Sequence, residues 1–264
     1  MTIRVVTTFG RRQWEDYAHA LLPRSMELWP KDVEWQVWQD SRDTAVAIPY
    51  VGQKVTMHLL EDDPDHEAFM AGWNRRLAAN PALAHFIDHG AGGYLLNAGR
   101  FAHKVFTMTN QAARAGADWL IFLGADVETT KAVDSAWLES VLRASEVVHL
   151  GRTDIRSSET DFLAFRLAIT DKFPHELSAQ CFLDSLRHIY TSGDIYQWGE
   201  WIDGHIIGRL AAVFEGIGLQ VHNLSAGIPG LDVFEKTVLG ERLVHHKGPR
   251  GKSALQHRLM TEAK

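Results

Sequence analysis

Four short stretches combine residue types and spacings that could do chemistry. The first is "DWLIFLGADVETT", Asp118 to Thr130. An apolar run ends in Gly124-Ala125-Asp126, which sets a carboxylate at the end of a buried strand behind two small residues. Such an acid either makes a turn or caps a short helix, or it holds a hard cation such as Mg²⁺ or Mn²⁺ on substrate phosphates. Gly124 and Ala125 would let a diphosphate or ribose come close to the backbone. The second is "LVHHKGPRGK", Leu243 to Lys252. It reads as a mobile cationic loop, either a solvated basic tail or a phosphate clamp. In a clamp, imidazole completes a metal shell and Lys or Arg steadies a leaving diphosphate. The third is "RFAHKV", where Arg100, His103 and Lys104 share one side of a helix whose N-terminus favours anions; the plain alternative is an ordinary polar face. In the fourth, "YQWGEWIDGH", Glu200 and Asp203 lie three apart at a helix start, so that both could face one pocket. Trp198 and Trp201 flank them, and acids beside aromatic rings suit sugar binding and general-base work. The alternative is acids placed for the helix dipole.

The elements that must position these groups alternate. Ile3–Phe9 predicts a strand, followed by a helix through "QWEDYAHALLPRSMELWP" that Pro23 kinks and Pro30 ends. Val33–Asp40 and Lys54–Leu60 predict strands, and Asp65–Asn80 a helix capped by Asp65. The glycines of "DHGAGGYLLNAG" predict a loop within Pro81–Gly99, with no GxGxxG fingerprint. A helix over "GRFAHKVFTMTNQAARAGA" leads into the strand "DWLIFL". The helix "DSAWLESVLRAS" and the strands "EVVHLGR" and "TDFLAFRL" follow, and "SSET" (Ser157–Thr160) either touches an acceptor or caps a strand. From Pro174 the texture turns helical, through "PHELSAQCFLDSLRHIY" and "GEWIDGHIIGRLAAVFEGIG", before a last strand "QVHNL". Strand–helix alternation predicts an α/β fold with a mostly parallel sheet covered on both faces. Ligands of such sheets bind beyond the carboxyl ends of the strands, so Thr7, Thr8, Phe9, Asp40 and Asp126 share one rim.

Composition narrows the class. The chain has 264 residues, 45% hydrophobic and 23% charged, enough for a sizeable core and too apolar for bulk disorder. A net charge of −6 argues against coating nucleic acid by charge alone, though local basic points exist at Arg11-Arg12, Arg75-Arg76 and Arg242 to Arg258. The single cysteine, Cys181, forms no intramolecular disulfide and reads as a small buried hydrophobe. The N-terminus reads as a strand rather than a signal peptide, and no apolar run approaches the ~18–20 residues that span a bilayer. A cytoplasmic protein is the expectation. GxxxxGK[ST], HExxH, GxSxG and CxxC patterns are absent.

Together, "VVTTF", "RFAHKVF", "DWLIFLGADVETT", "VVHLGR", "SSETDFLAFRL", "EWIDGHIIGRL" and "LVHHKGPRGK", in this order and across almost the whole chain, resemble nucleotide-sugar glycosyltransferases of the GT-A fold. More narrowly, they resemble a bacterial and phage set of this size. The resemblance implies one GT-A-like domain over 1–264, with a nucleotide-sugar half to about 150 and a more helical acceptor half from about 151. Asp126, the last acid of an Asp-X-Asp pattern, and His245 would hold Mn²⁺ or Mg²⁺. Gly124 departs from the pattern, because an acid commonly stands there. Thr7, Thr8 and Phe9 would line the nucleoside. Arg100 and Lys104 would meet the donor phosphates or base and Lys247 the diphosphate, with Gly124 and Ala125 beneath them. Asp203, with Glu200 nearby, would act at the acceptor hydroxyl. The donor implied is a UDP-sugar. The favoured acceptor is 5-hydroxymethylcytosine in DNA, which would place the protein in the host cytoplasm if phage-encoded. The alternatives are a saccharide acceptor, a metal-dependent nucleotide-sugar hydrolase and a non-catalytic nucleotide-sugar binding module.

Overall fold

The computed structural model describes residues 1–49, 52–152, 157–168, 177–230 and 233–262, apart from the side chains of 249, 250, 260 and 262. The Pro174 start of the expected helix and the side chain of Arg250 lie outside the described residues. In chain order the strands are β1 (Ile3–Phe9), β2 (Glu34–Gln39), β3 (Lys54–Leu59), β4 (Trp119–Leu123), β5 (Val127–Thr129), β6 (Val147–Arg152), β7 (Ser157–Arg166), β8 (Val221–Asn223) and β9 (Leu243–His245).

The apolar run of β4 explains its place. Leu120 and Phe122 enter one core, while Trp119, Ile121 and Leu123 enter the other. A strand with no polar face must be covered on both sides. Helices supply that cover: Pro64–Ala79, Ala98–Thr109, Ala179–Thr191 and Asp203–Gly216 pack on one face, His19–Leu28 and Ser135–Leu142 on the other. The main sheet has the order β3-β2-β1-β4-β7-β6-β8. Its pairings are parallel except those of β7, which runs antiparallel to β4 and β6. This is the α/β arrangement the sequence predicts, a mostly parallel sheet covered on both faces; the expected excess of helix after residue 150 does not appear, because among the described residues both parts are about two fifths α-helix.

Two consequences position the site. Because β7 is reversed, its first residues, Ser157 to Asp161, stand at the rim where β1, β2 and β4 end. And β5, just beyond Asp126, pairs antiparallel with β9, with Val127 opposite His245. The stretch "LVHHKGPRGK" is therefore a strand followed by the Gly248–Glu262 helix rather than a loop. Its residues are held by the sheet pairing and by the Glu128 carboxylate, which accepts from His246 Nε2 at 2.9 Å and from Arg258 at 2.6 Å.

Other local expectations shift for stated reasons. The Pro64–Ala79 helix is capped by Asp63, whose carboxylate accepts from the backbone N–H groups of Asp65 and His66, with Pro64 at the first helical position. The expected loop contains a helix, Pro81–His89, started by another cap and proline: Asn80 accepts from Leu83 N. The helix through Arg100 ends at Thr109, where Asn110 begins a separate turn, Gln111–Arg114. Among the described residues no helix is long and apolar enough to cross a membrane.

Candidate active site

The rim brings Asp126, Asp161 and His245 together, with one ligand atom from each within 4.8 Å of the others. His245 Nε2 lies 3.2 Å from Asp161 Oδ2 and 3.7 Å from Asp126 Oδ1. The His245 ring is fixed from behind by Phe234, 5.5 Å away, and by its own backbone N–H, which donates to Glu235 Oε1 at 3.1 Å. Asp161 comes from the start of β7, and its backbone oxygen accepts from Gly124 N at 2.9 Å. A side chain at position 124 would meet it at once: a Cβ there would lie 2.6 Å from Asp161 Oδ1 and 2.9 Å from its Cβ.

Cations ring the acids. Lys104 Nζ donates to Asp161 Oδ1 at 2.6 Å and lies 3.9 Å from Asp203 Oδ2. Burial disfavours the ammonium, but Asp161, Asp203 and Asp126 outweigh it and hold Lys104 protonated well above the usual lysine range. Conversely, Asp161 is buried, yet Lys104 and then His245 hold its carboxyl far below the usual range. Lys252 Nζ sits 2.7 Å from Asp126 Oδ2, and Asp126 raises its proton affinity against the cost of burial. Lys247 bonds to Glu159, which also takes Arg152. Burial, and then the nearby Asp161 charge, push the Glu159 carboxyl upward.

Asp203 lies one step behind this cluster. It is 3% exposed, begins the Asp203–Gly216 helix and accepts from Thr160 Oγ1 at 2.8 Å and Gly204 N at 2.8 Å. Burial raises its carboxyl, with Lys104 opposing. Glu200 does not join it: Glu200 precedes the helix, is partly exposed and faces His205 Nδ1 at 3.6 Å. Trp73, Tyr196 and Trp201 pack on one another as an aromatic cluster, with the Arg76 guanidinium 3.8 Å from the centre of the Tyr196 ring.

At the end of β1, the buried hydroxyls of Thr7 and Thr8 have no hydrogen-bond partner among the described residues. Phe9 stacks on Trp14 at 5.3 Å. The Asp40 carboxylate lies against Gly10 and 3.6 Å from His103 Nδ1. Arg100 is exposed and pairs with none of these acids, whereas Lys104, one turn on, reaches the centre.

Of the residues expected from sequence, Asp126, His245, Lys104, Gly124 and Ala125 meet in one place, and Asp203 borders it. Thr7, Thr8 and Phe9 line the next stretch of rim, and Lys247 faces Glu159. Glu159 and Thr160 lie in "SSET", read from sequence as an acceptor contact or a strand cap, whereas Asp161 was hidden in the strand that follows. The usable signal was indirect: an acid missing at Gly124 and a strand that begins with two acids among polar residues.

No protein-family model matches the sequence, and no curated protein matches it either. Among solved structures the chain is similar to mouse xyloside xylosyltransferase 1 in its apo form, with a TM-score of 0.48 and 11% identity over 86% of each chain.

Proposed function

We propose that this protein is a metal-dependent glycosyltransferase that moves a sugar from a nucleotide-diphosphate sugar, a UDP-sugar first among them, to a hydroxyl of a saccharide. The observation that carries this reading is the meeting of Asp126, Asp161 and His245 at the carboxyl-end rim, with Lys104 and Lys252 beside them. Two carboxylates and an imidazole suit Mn²⁺ or Mg²⁺. The fit is supported by sterics as well as chemistry, because the space over Gly124 is filled by a carboxylate rather than by packing. A bound divalent ion would neutralise the leaving diphosphate.

The chain's own groups divide the remaining work. Lys104 and Lys252 offer charge-assisted hydrogen bonds to phosphate oxygens. Thr7 and Thr8 offer hydroxyls to the nucleoside, whose plane Phe9 and Trp14 border. Asp203, its proton affinity raised by burial, is suited to take the proton of the acceptor hydroxyl, and Thr160 holds its Oδ2 in place. The donor site in this reading draws on both halves of the chain, because Asp161 and His245 come from beyond residue 150.

The saccharide is preferred to DNA because the Lys and Arg side chains described in the tail face acids of the chain rather than forming an open basic face. Arg242 pairs with Asp134 at 2.7 Å, Lys247 with Glu159, Lys252 with Asp126 and Arg258 with Glu128. Cations already paired release few counterions from a duplex.

The test is a donor screen with Mn²⁺ and a panel of nucleotide sugars, run with oligosaccharides, with 5-hydroxymethylcytosine DNA and with no acceptor. Sugar-sized mass gain on a saccharide is expected. Asp126→Ala should lose activity by about a thousandfold, several kcal/mol of lost charge stabilisation, and remain folded. Mass gain on DNA would replace the acceptor. Nucleotide release indifferent to any acceptor would favour a hydrolase, and donor binding without turnover a binding module. Full activity of Asp126→Ala would remove the metal assignment.

A further inference from the structure

We infer that His85 and His89 form a second cation site, on the outer face of the Pro81–His89 helix, for a borderline-soft divalent ion such as Zn²⁺, Ni²⁺ or Cu²⁺. The site lies away from the rim and does not depend on the function proposed above. The stretch "PALAHFIDH" uses one spacing twice. Leu83 and Ile87, four apart, face inward: Ile87 is part of the core and Leu83 packs against it. His85 and His89 are also four apart. They stand two positions on from the apolar pair, about 200° around the helix, and both are exposed. Residues four apart are neighbours on a helix surface, and here the two imidazole centroids lie 4.8 Å apart. Among the described residues neither ring is tied to an acid, a cation or a backbone group.

Two imidazoles at this spacing on one helix face are a ready chelate. A tetrahedral ion about 2.0–2.1 Å from each nitrogen needs the nitrogens roughly 3.3 Å apart, which exposed rings at this separation reach by turning about their own side-chain bonds. The donor set selects the ion. Imidazole suits Zn²⁺, Cu²⁺ and Ni²⁺, whereas Mg²⁺ and Mn²⁺ prefer carboxylate oxygen. Two protein ligands leave two tetrahedral positions to water, so the ion is exchangeable rather than enclosed. The place along the helix favours it as well. His89 is the last helical residue, where the unsatisfied carbonyls carry negative partial charge and a cation is stabilised. The helix has nine residues, a length that is marginal without outside support. An ion joining positions 85 and 89 closes its last turn, so binding registers in the backbone of this helix.

The experiment titrates Zn²⁺ into the untagged full chain at about pH 7.5, where free imidazole is neutral and able to ligate. Calorimetry reads the affinity, and amide hydrogen exchange across residues 81–90 reads the place. Exchange from Phe86 to Gly90 should slow by about tenfold when zinc stands at about ten times its dissociation constant. His85→Gln and His89→Gln should each weaken this event by about 100-fold, the upper end of what losing even an outer-shell partner costs. Both positions are exposed, so both variants should fold as the parent does. Mg²⁺ should leave the helix unchanged, and Asp126→Ala should leave the zinc effect intact. Unchanged exchange in the helix on adding zinc would overturn the inference. So would parent-like zinc affinity and slowing in either histidine variant, or equal slowing by Mg²⁺. A zinc effect that disappears in Asp126→Ala would return the ion to the rim and overturn the second site. A zinc effect that persists there stands even if the rim proves to hold no metal.

Discussion

At the β4–β7–β9 end of the rim, buried charge meets buried charge. Asp161 has Lys104, Asp126 has Lys252, Glu128 has His246 and Arg258, and Glu159 has Arg152 and Lys247. At the β1–β2 end, buried ion pairs are fewer, Asp63 with Arg187 at 2.7 Å among them, and several buried polar groups are neutral. Thr7 and Thr8 keep unpartnered hydroxyls, and His66, 3.1 Å from His103, is pushed down to about 4 by burial and then by its neighbour. Removing a charge from water is tolerable only with a partner, while a neutral group needs only a hydrogen bond. Under the proposed function, the first region would exchange its ammonium and carboxylate partners for a cation and a diphosphate, and the second would meet the uncharged nucleoside. Lys104 and Asp203 mark the border, because Asp203 has its cation at 3.9 Å where Asp161 has it at 2.6 Å. The closer acid is held ionised, and the more distant one is pushed towards its protonated form.

The strongest way to break this contrast is Lys104→Met. It leaves Asp161 and Asp203 buried without their cation, and stranding a buried charge costs about 3–5 kcal/mol. Urea unfolding at neutral pH with chelator present should show that loss, and a change under about 1 kcal/mol, the worth of an exposed pair, would mean the network holds nothing together. Asp203→Asn is the next largest. It preserves shape and the acceptor oxygen for Thr160, so donor binding should persist while kcat falls by about a hundredfold, the lower range for a general base. Equal losses in donor affinity and turnover would make Asp203 structural.

How much of this was legible follows the range of the interactions. β4 was legible because a wholly apolar run has one solution, a strand covered on both faces, and Asp126 was legible because it ends that run behind two small residues. The Pro81–His89 helix carried a local signal, Asn80 followed by Pro81, but the glycines after it dominated. β9 was not legible. Three residues, Leu243–His245, make a strand only because β5 lies beside them, and basic residues with glycines around them have the composition of a loop. Asp161 was least legible of all. Its role depends on the β4–β7 register and on the reversed direction of β7, and neither leaves a mark in a single chain's pattern. Of the acids Glu200 and Asp203, only the second lies in the expected helix, because that helix begins at Asp203 and Glu200 precedes it.

The smallest effect separates the two regions by acidity. His66 is buried and its folded pKa, about 4, lies below the ordinary 6.5. The unfolded chain therefore takes up its proton first, and stability is lost as pH falls from 6.5 towards 4. Linkage puts the loss near 1 kcal/mol between pH 7 and roughly pH 5.5. Glu128 behaves alike in sign but later. The His246 hydrogen bond, then Arg258, hold its carboxyl at about 2 against an ordinary 4.5, so its contribution survives to pH 4.5 and is lost only below. Unfolding free energies measured from pH 7 to pH 3 should accordingly fall in two stages. His66→Asn should reduce the upper stage, leaving the part that buried His149 carries, and spare the lower one, and Glu128→Gln should reduce the lower stage and spare the upper. A single transition that both substitutions flatten would mean the two ends of the rim titrate as one network, and the division between a charged end and a neutral end would go with it.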